Sequence, residues 1–229
     1  QTLHESERVI EQIKGNRIEI IKVGIISTAQ YFLPQVLKLF REKHSEYKII
    51  LEIRNREQLV ELLRDGQIDI AIMGLVPKEI DTKVYAITNH PHVFIANFGH
   101  PLTKLKKIQP EALNDLDFIS REKGSGTRAH METFIQDHDI HPIIIMEMSS
   151  NESIKQAVIA GLGISFVSQH TIANELKNNQ LKILKVLDTP INRKWHVVTL
   201  NPMSINRSVE LLKDFILNQS EIIITKLLS

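Results

Sequence analysis

The apolar positions of this chain come in blocks whose period switches along the sequence. Residues 18–26 are β-branched and nearly continuous in apolar character, the pattern of a strand covered on both faces. Leu33, Val36, Leu37 and Phe40 then recur at helical spacing, with Pro34 acceptable only in a first turn. Residues 47–53 predict a second strand. Residues 57–65 predict a second helix, with Leu59, Leu62 and Leu63 inward and Gly66 as its stop. Residues 68–73 predict a third strand, ending at Gly74. Strands alternating with helices predict βαβ units and a parallel sheet.

Past Pro77 the register changes, and residues 83–87 and 92–98 predict two further strands. The pattern then starts again. A strand is expected at 118–119, a helix over 127–136, a strand over 143–148, a helix over 152–160 and a strand over 164–167. One constant offset lays Glu57 on Glu152, Leu59 on Ile154, Leu63 on Val158, Gly66 on Gly161 and Ile72 on Val167. Two βαβαβ halves of one design predict two similar lobes; the alternative is chance similarity between common βα units. Trp195 opens a last strand running to Leu200. A helix is expected from Ser204, with Val209, Leu212 and Ile216 inward. Residues 222–228 are too apolar to stand in water and are expected to pack on a lobe or a partner. Residues 1–14 form a thin amphipathic pattern through Leu3, Ile10 and Ile13, fitting either a frayed terminus or the end of a longer helix.

Composition narrows the function classes. The 229 residues are 42 % apolar, and their formal net charge is +1. A free-standing DNA-binding domain usually shows a clear basic excess; if this chain serves at DNA, another part must do the gripping. The absence of cysteine excludes disulfides, thiol nucleophiles and thiolate metal sites. It also suits a cytoplasmic protein. No run of about 18 apolar residues is present to span a membrane. There is no G-x-S-x-G elbow and no H-E-x-x-H, so no catalytic constellation supports an enzyme. His90 and His92, and His138 and His141, are spaced suggestively but lack further ligands; both pairs are expected as solvated surface side chains, with no metal or cofactor.

In parallel α/β sheets, ligands bind where strands end and helices begin. Four such turns here are polar: Ser27-Thr28, Arg54-Asn55-Arg56, Gly124-Ser125-Gly126-Thr127-Arg128 and Ser149-Ser150-Asn151. Facing one another across two lobes, they would present hydroxyls and helix-start N–H groups to a small anion. Each also has a plain reading. Ser27-Thr28 fits an N-cap, Ser149 with Glu152 fits a capping box, and arginines at a turn are usually solvated. The Gly-Ser-Gly-Thr-Arg turn is the most specific, since its glycines allow close backbone approach and Arg128 offers a fork. It is not a Walker A loop, because no GK[ST] is present.

The run from Thr28 to Pro34 followed by Phe40-Arg41 resembles the opening of LysR-type effector domains. So do residues 62–73, His100-Pro101-Leu102 and the Ala160-Gly161-Leu162-Gly163-Ile164 segment. Asn55-Arg56-Glu57, Ala71-Ile72-Met73-Gly74 and Arg121-Glu122 with the 124–128 turn resemble the branch that includes regulators of carbon-fixation genes. Lys123 stands where that branch would have proline.

The resemblance implies an α/β fold of two Rossmann-like lobes with mixed, mostly parallel sheets, joined by two crossover strands, as in type 2 periplasmic binding proteins. It places the first lobe at 18–87 and 195–229, the second at 88–194, and the crossovers near 92–96 and 195–198. Residues 1–17 would be the stub of a linker helix below a winged helix-turn-helix that meets promoter DNA. It further implies homodimers or homotetramers and contact with RNA polymerase, with no membrane partner. The effector, a phosphorylated or carboxylated metabolite, is expected between the lobes. The residues expected at it are Ser27, Thr28, Arg54, Gly74, Ser125, Gly126, Thr127, Arg128, Ser150 and Asn151. The rival reading is a transporter's solute-binding protein on the same scaffold.

Overall fold

The computed structural model describes residues 19–201 and 206–228. The expectations for residues 1–17 and for a helix start at Ser204 lie outside the described residues.

The first half reads β1 (Glu19–Ile26), a 3-10 turn (Ser27–Tyr31), α1 (Leu33–Lys43), β2 (Tyr47–Arg54), α2 (Arg56–Arg64) and β3 (Ile70–Met73). The second reads β5 (Asp117–Arg121), α3 (Gly126–Asp137), β6 (Ile143–Met148), α4 (Asn151–Ile159) and β7 (Ile164–Ser168). Between them runs β4 (Thr82–Asn97). After them come α5 (Ala173–Lys177), β8 (Leu181–Ile183), β9 (Ile191–Leu200) and α6 (Arg207–Leu228).

The internal repeat is realised in detail. The offset that aligns the sequence halves lays α2 on α4 end to end, lays the cap Asn55 on the cap Ser150, and lays Gly66 on Gly161. Both glycines have positive φ, +66° and +82°, where a Cβ is strained, so each helix stops there. Sheet order carries the same symmetry. It runs β2-β1-β3-β9-β4-β7-β5-β6, with β8 beside β4, so the second half mirrors the first. Pairing is parallel among the outer three strands of each half and antiparallel where β4 and β9 enter.

Strand alternation feeds helices on both faces. Ile70 and Ile72 join Val36 and Phe40 of α1 and Leu212 and Ile216 of α6, whereas Ala71 and Met73 face Leu59 and Leu63 of α2. In the second half Phe94 and Ala96 meet Met131 and Phe134 of α3, while Val93 and Ile95 meet Ile154 and Val158 of α4. No residue of the two second-half clusters belongs to a first-half cluster, so each lobe has its own core.

Three expectations need correction. Residues 83–87 and 92–98 are not two strands but parts of one sixteen-residue strand, β4. Its ladder with β9 slips between Ala86 and Asn89, which lets one strand serve both lobes: Thr82–Ala86 lies beside the part of β9 that pairs with β3, and His92–Ile95 pairs with β7. The crossing therefore lies just before His92 rather than over 92–96. The apolar C-terminal stretch packs on the first lobe, as expected. It continues α6, and Ile223 and Ile224 are buried in the first core. His90 and His92 are not solvated; each is about 1 % exposed, at the crossover. His141, by contrast, is exposed, and His138 pairs with Asp188.

Candidate functional site

The carboxyl ends of β1, β2 and β5 converge on a narrow notch of about 10 Å³, space for roughly one water. It is lined by Ile26, Ser27, Thr28, Asn55, Arg56, Arg121, Ser125, Gly126 and Thr127. The first five come from the first lobe's turns and the others from the second, so the notch lies between the lobes. Beside it opens a wider hollow of about 340 Å³, sharing Arg56 and Ser125 and adding Leu75, Lys123, Gly124, Arg128, Ala129 and Glu132.

Ser27 and Thr28 do not cap a helix. The turn they open is 3-10 and has no side-chain cap. Ser27 Oγ instead accepts a hydrogen bond from Asn151 Nδ2 at 3.1 Å, joining the lobes. Thr28 is 1 % exposed, and its Oγ1 has no hydrogen-bond partner. A buried hydroxyl without a partner costs about 1–3 kcal/mol, so a polar ligand there is strongly favoured over nothing. Across the notch, α3 begins at Gly126 with Ser125 before it, and Ser125 makes no cap bond. The first N–H groups of that helix, and its positive dipole end, are left for an anion.

Arg121 supplies a buried cation that the sequence reading passed over as a site residue. It is 5 % exposed, forks onto Glu122 at 2.7 and 3.0 Å, and donates to Asn151 Oδ1 at 2.8 Å. A chain Arg121–Asn151–Ser27 thus ties the notch's charge to its lobe-bridging bond. Its signal in the sequence is its place as the last residue of β5, directly before the polar turn. Arg56 is also recruited. Its guanidinium donates to the carbonyls of Leu75 and Val76 and pairs with Glu79 at 2.9 Å, which holds the Glu79 carboxyl down at about 2.

Other expected residues are placed elsewhere. Arg54 turns back onto its own strand, donating to the Ile53 carbonyl and pairing with Glu52. Ser150, not Ser149, caps α4, and it accepts from the Ser153 N–H at 3.3 Å; the expected box with Glu152 does not form, because Glu152 faces Lys155 and Gln156. Asn151 is buried beneath the notch as the bridge described. Arg128 lines the wider hollow, held by Glu132 at 2.7 Å and by a close pair with Glu147, which lowers the Glu147 carboxyl. Gly74 sits at the end of β3 against His90, where a Cβ would lie 2.6 Å from the imidazole Nδ1. Among the described residues no group of His, Asp or Glu is arranged to hold a metal ion, and no helix is long and apolar enough to cross a membrane.

Residues 15–221 match the family described as the LysR substrate binding domain. The chain is 45 % identical over 195 residues to the HTH-type transcriptional regulator CbbR of Rhizobium meliloti (strain 1021), covering 84 % of this chain and 62 % of that protein. It is 34 % identical over 220 residues to the RuBisCO operon transcriptional regulator of Allochromatium vinosum, covering 96 % and 73 %. The chain spans about two-thirds of the length of such relatives. Among solved structures it resembles the Synechocystis PCC6803 CcmR regulatory domain in complex with 2-PG. That match has a TM-score of 0.86 and 34 % identity, over 89 % of this chain and 98 % of that one. The QuiR effector-binding domain in complex with shikimate, at 21 % identity and TM-score 0.79 over 89 % and 97 %, shares the fold.

Proposed function

The chain belongs to the LysR substrate-binding domain family, in the branch of carbon-fixation operon regulators, and from that premise we propose that it senses a small phosphorylated or carboxylated anion held between its lobes. The observation that carries the reading is Thr28, a buried hydroxyl without a partner, opposite the uncapped start of α3 and beside buried Arg121. A phosphate or carboxylate would accept from Thr28, from the α3 N–H groups and from Thr127. The 2-PG bound by CcmR, 2-phosphoglycolate, is of this chemistry and is the first ligand to test.

The notch itself admits about one water, so the lobes part to let a metabolite in and then close with its anionic group at the notch and its body in the adjoining hollow of about 340 Å³. Effector binding then selects one lobe arrangement, and it can shift the population only by its difference in affinity between the two. The site set we propose is Ser27, Thr28, Arg121, Ser125, Gly126 and Thr127, with Asn151 as lobe bridge and Arg128 and Gly74 outside the notch.

The lobes we propose are 18–87 with 195–229, and 88–194; the separate cores support that division. In the whole protein the lobe arrangement would be read by a DNA-binding part and by oligomeric partners at a promoter, RNA polymerase among them, in the cytoplasm. Self-association has physical support. Among the described residues the sheet ends in two free edges, β2 and β6, and β6 leaves Ile143, Ile144, Ile145 and Met146 between 37 and 48 % exposed. No catalytic role is proposed. Isothermal titration with 2-phosphoglycolate, other sugar-acid phosphates and dicarboxylates tests the effector reading. Binding lost in a Thr28→Val variant that remains folded supports it, and a ligand whose crystal density lies outside the notch and the adjoining hollow overturns it.

A further inference from the structure

Five of the chain's ten histidines meet where β4 and β9 cross between the lobes: His90 and His92 on β4, His130 on α3, His170 in a 3-10 turn (Gln169–Thr171), and His196 on β9. The first four are buried, and His196 is half-buried. His90 stacks on Trp195, the chain's single tryptophan, with ring centroids 3.8 Å apart, and lies 4.2 Å from His92 and 5.7 Å from His170. His92 lies 5.2 Å from His130.

The hydrogen bonds assign tautomers. Trp195 Nε1 donates to His170 Nδ1 at 3.2 Å, so the His170 proton sits on Nε2, where it has no partner. His92 Nδ1 lies 3.1 Å from the His90 carbonyl, which can only accept, so His92 is protonated there and its Nε2 is a bare, unpartnered acceptor. His90 Nε2 pairs with Ser168 Oγ at 2.9 Å, and its Nδ1 is unpartnered.

Among the described residues, the charged and titratable groups that act on this cluster are histidines, an arginine and a lysine, with no carboxylate among them. The groups acting on His90 are His92 of its own strand, His170, His130 and His196; Arg193 of β9 acts on His92 and His130, and Lys194 acts on His196. Burial presses all four rings toward the neutral form, and for His90, His92 and His130 these neighbours add to it: His92 stands at about 3, His130 and His170 at about 4, and His90 well below its usual range.

The cluster is mechanically joined to both walls of the notch. His130 shares α3 with Gly126 and Thr127. The 3-10 turn of His170 packs on the 3-10 turn that carries Ser27 and Thr28. On the first-lobe side Trp195 also meets Phe32 edge-on at 5.1 Å, within that lobe's core, and Gly74 closes on His90.

We propose that this seam is a proton-sensitive latch on the effector notch: neutral imidazoles pack the lobes together, and a proton taken up by the cluster opens the seam and weakens effector binding. The last clause rests on the effector reading above; the opening itself does not. An imidazolium placed here would meet no counter-charge and would have to reach water, which only separation of β4, β9 and the 169–171 turn supplies. By linkage, an effector that selects the closed arrangement would expel protons as it binds.

Trp195 reads the event directly, because an imidazolium at His90 or an opened seam changes its emission. On the full chain, taken from about pH 8 to about pH 5, we expect a Trp195 emission transition with far-UV circular dichroism unchanged, and loss of that transition in His90→Gln. Emission and dichroism collapsing together, or an unchanged transition in His90→Gln, overturns the latch. Should His90→Gln not fold, nitrogen-15 NMR of the wild-type imidazoles serves; rings of this cluster that stay neutral through the emission change overturn it equally. Affinity for 2-phosphoglycolate should fall about tenfold more in wild type than in His90→Gln over the same range. The ligand's own second phosphate proton, taken up near pH 6, acts alike on both proteins. If 2-phosphoglycolate binds neither protein at any pH, the assignment of that ligand fails, and the latch is judged on Trp195 alone.

Discussion

At the scale of single residues, the notch is built from groups that are better suited to a ligand than to the free fold. Thr28 is the sharpest case. Replacing it by valine keeps the shape and removes a buried hydroxyl that has no partner. Thr28→Val should therefore leave the free protein as stable or stabilise it by about 1 kcal/mol, while weakening 2-phosphoglycolate; thermal unfolding and calorimetric titration on the same sample decide it. Thr127 lies on the opposite wall, 6 % exposed. Thr127→Ala should weaken the ligand by about 1 kcal/mol or more and leave the melting temperature nearly unchanged. Affinity intact in Thr127→Ala would remove that wall from the site. Arg121 needs different treatment, because cutting it away leaves the half-buried Glu122 without its fork and Asn151 without its donor, and stability would change together with binding.

At the scale of elements, the repeat places the same device at corresponding points in the two lobes: a side-chain cap at the start of a nine-residue helix and a left-handed glycine at its stop. Asn55 accepts from the Gln58 N–H at 3.0 Å while Gln58 returns the bond, and Ser150 makes the simpler version. Asn55→Ala should cost about 1 kcal/mol of stability by chemical denaturation, and Gly161→Ala a similar amount through its positive φ. The edge strand β6 is the other element with a consequence. Its exposed Ile144 lies in a run of apolar side chains on an unpaired ladder, so Ile144→Lys should lower self-association measured by analytical ultracentrifugation without unfolding the chain. An unchanged sedimentation profile at high concentration would show that β6 is not the contact.

For the whole molecule, charge and proton balance set the expectations. With a net charge of +1, the chain should bind duplex DNA no better than a neutral protein, and tight, salt-sensitive retardation in a mobility-shift assay would contradict this. Stability should depend on pH through the seam. The folded state holds His92 at about 3 and His130 and His170 at about 4, below the usual range near 6.5, so the unfolded chain binds protons more readily. Their contribution is complete above about pH 6.5 and is lost as pH falls from there toward about 4, at up to ~1.4 kcal/mol per pH unit for each ring. Melting temperature should therefore drop steadily between about pH 7 and about pH 5, and a flat profile would show that the rings titrate normally.

The order of most elements, the repeat and the family could be read before any fold was known, because they rest on local periodicity and on residues spaced along the chain. The turn 124–128 and the pair Ser27-Thr28 were legible for the same reason: polar residues at strand ends stand out against apolar runs. Which of those turns share a cavity depends on how distant segments pack, and no local pattern carries it. Arg54 and Arg56 are two residues apart, yet one turns back along its strand and the other reaches the interlobe notch, since Arg54 ends β2 and Arg56 opens α2, with the cap Asn55 turning the chain between them. Asn151 and Ser27 are joined across a sequence distance no local pattern encodes. The histidines show the limit most plainly. His90 and His92 read as surface side chains because their spacing brings no further ligands, and they are the buried centre of the seam because two long strands cross there, bringing His130, His170 and Trp195 from three other elements against them. Burial is a property of the surroundings, and those surroundings are assembled from segments far apart in the chain.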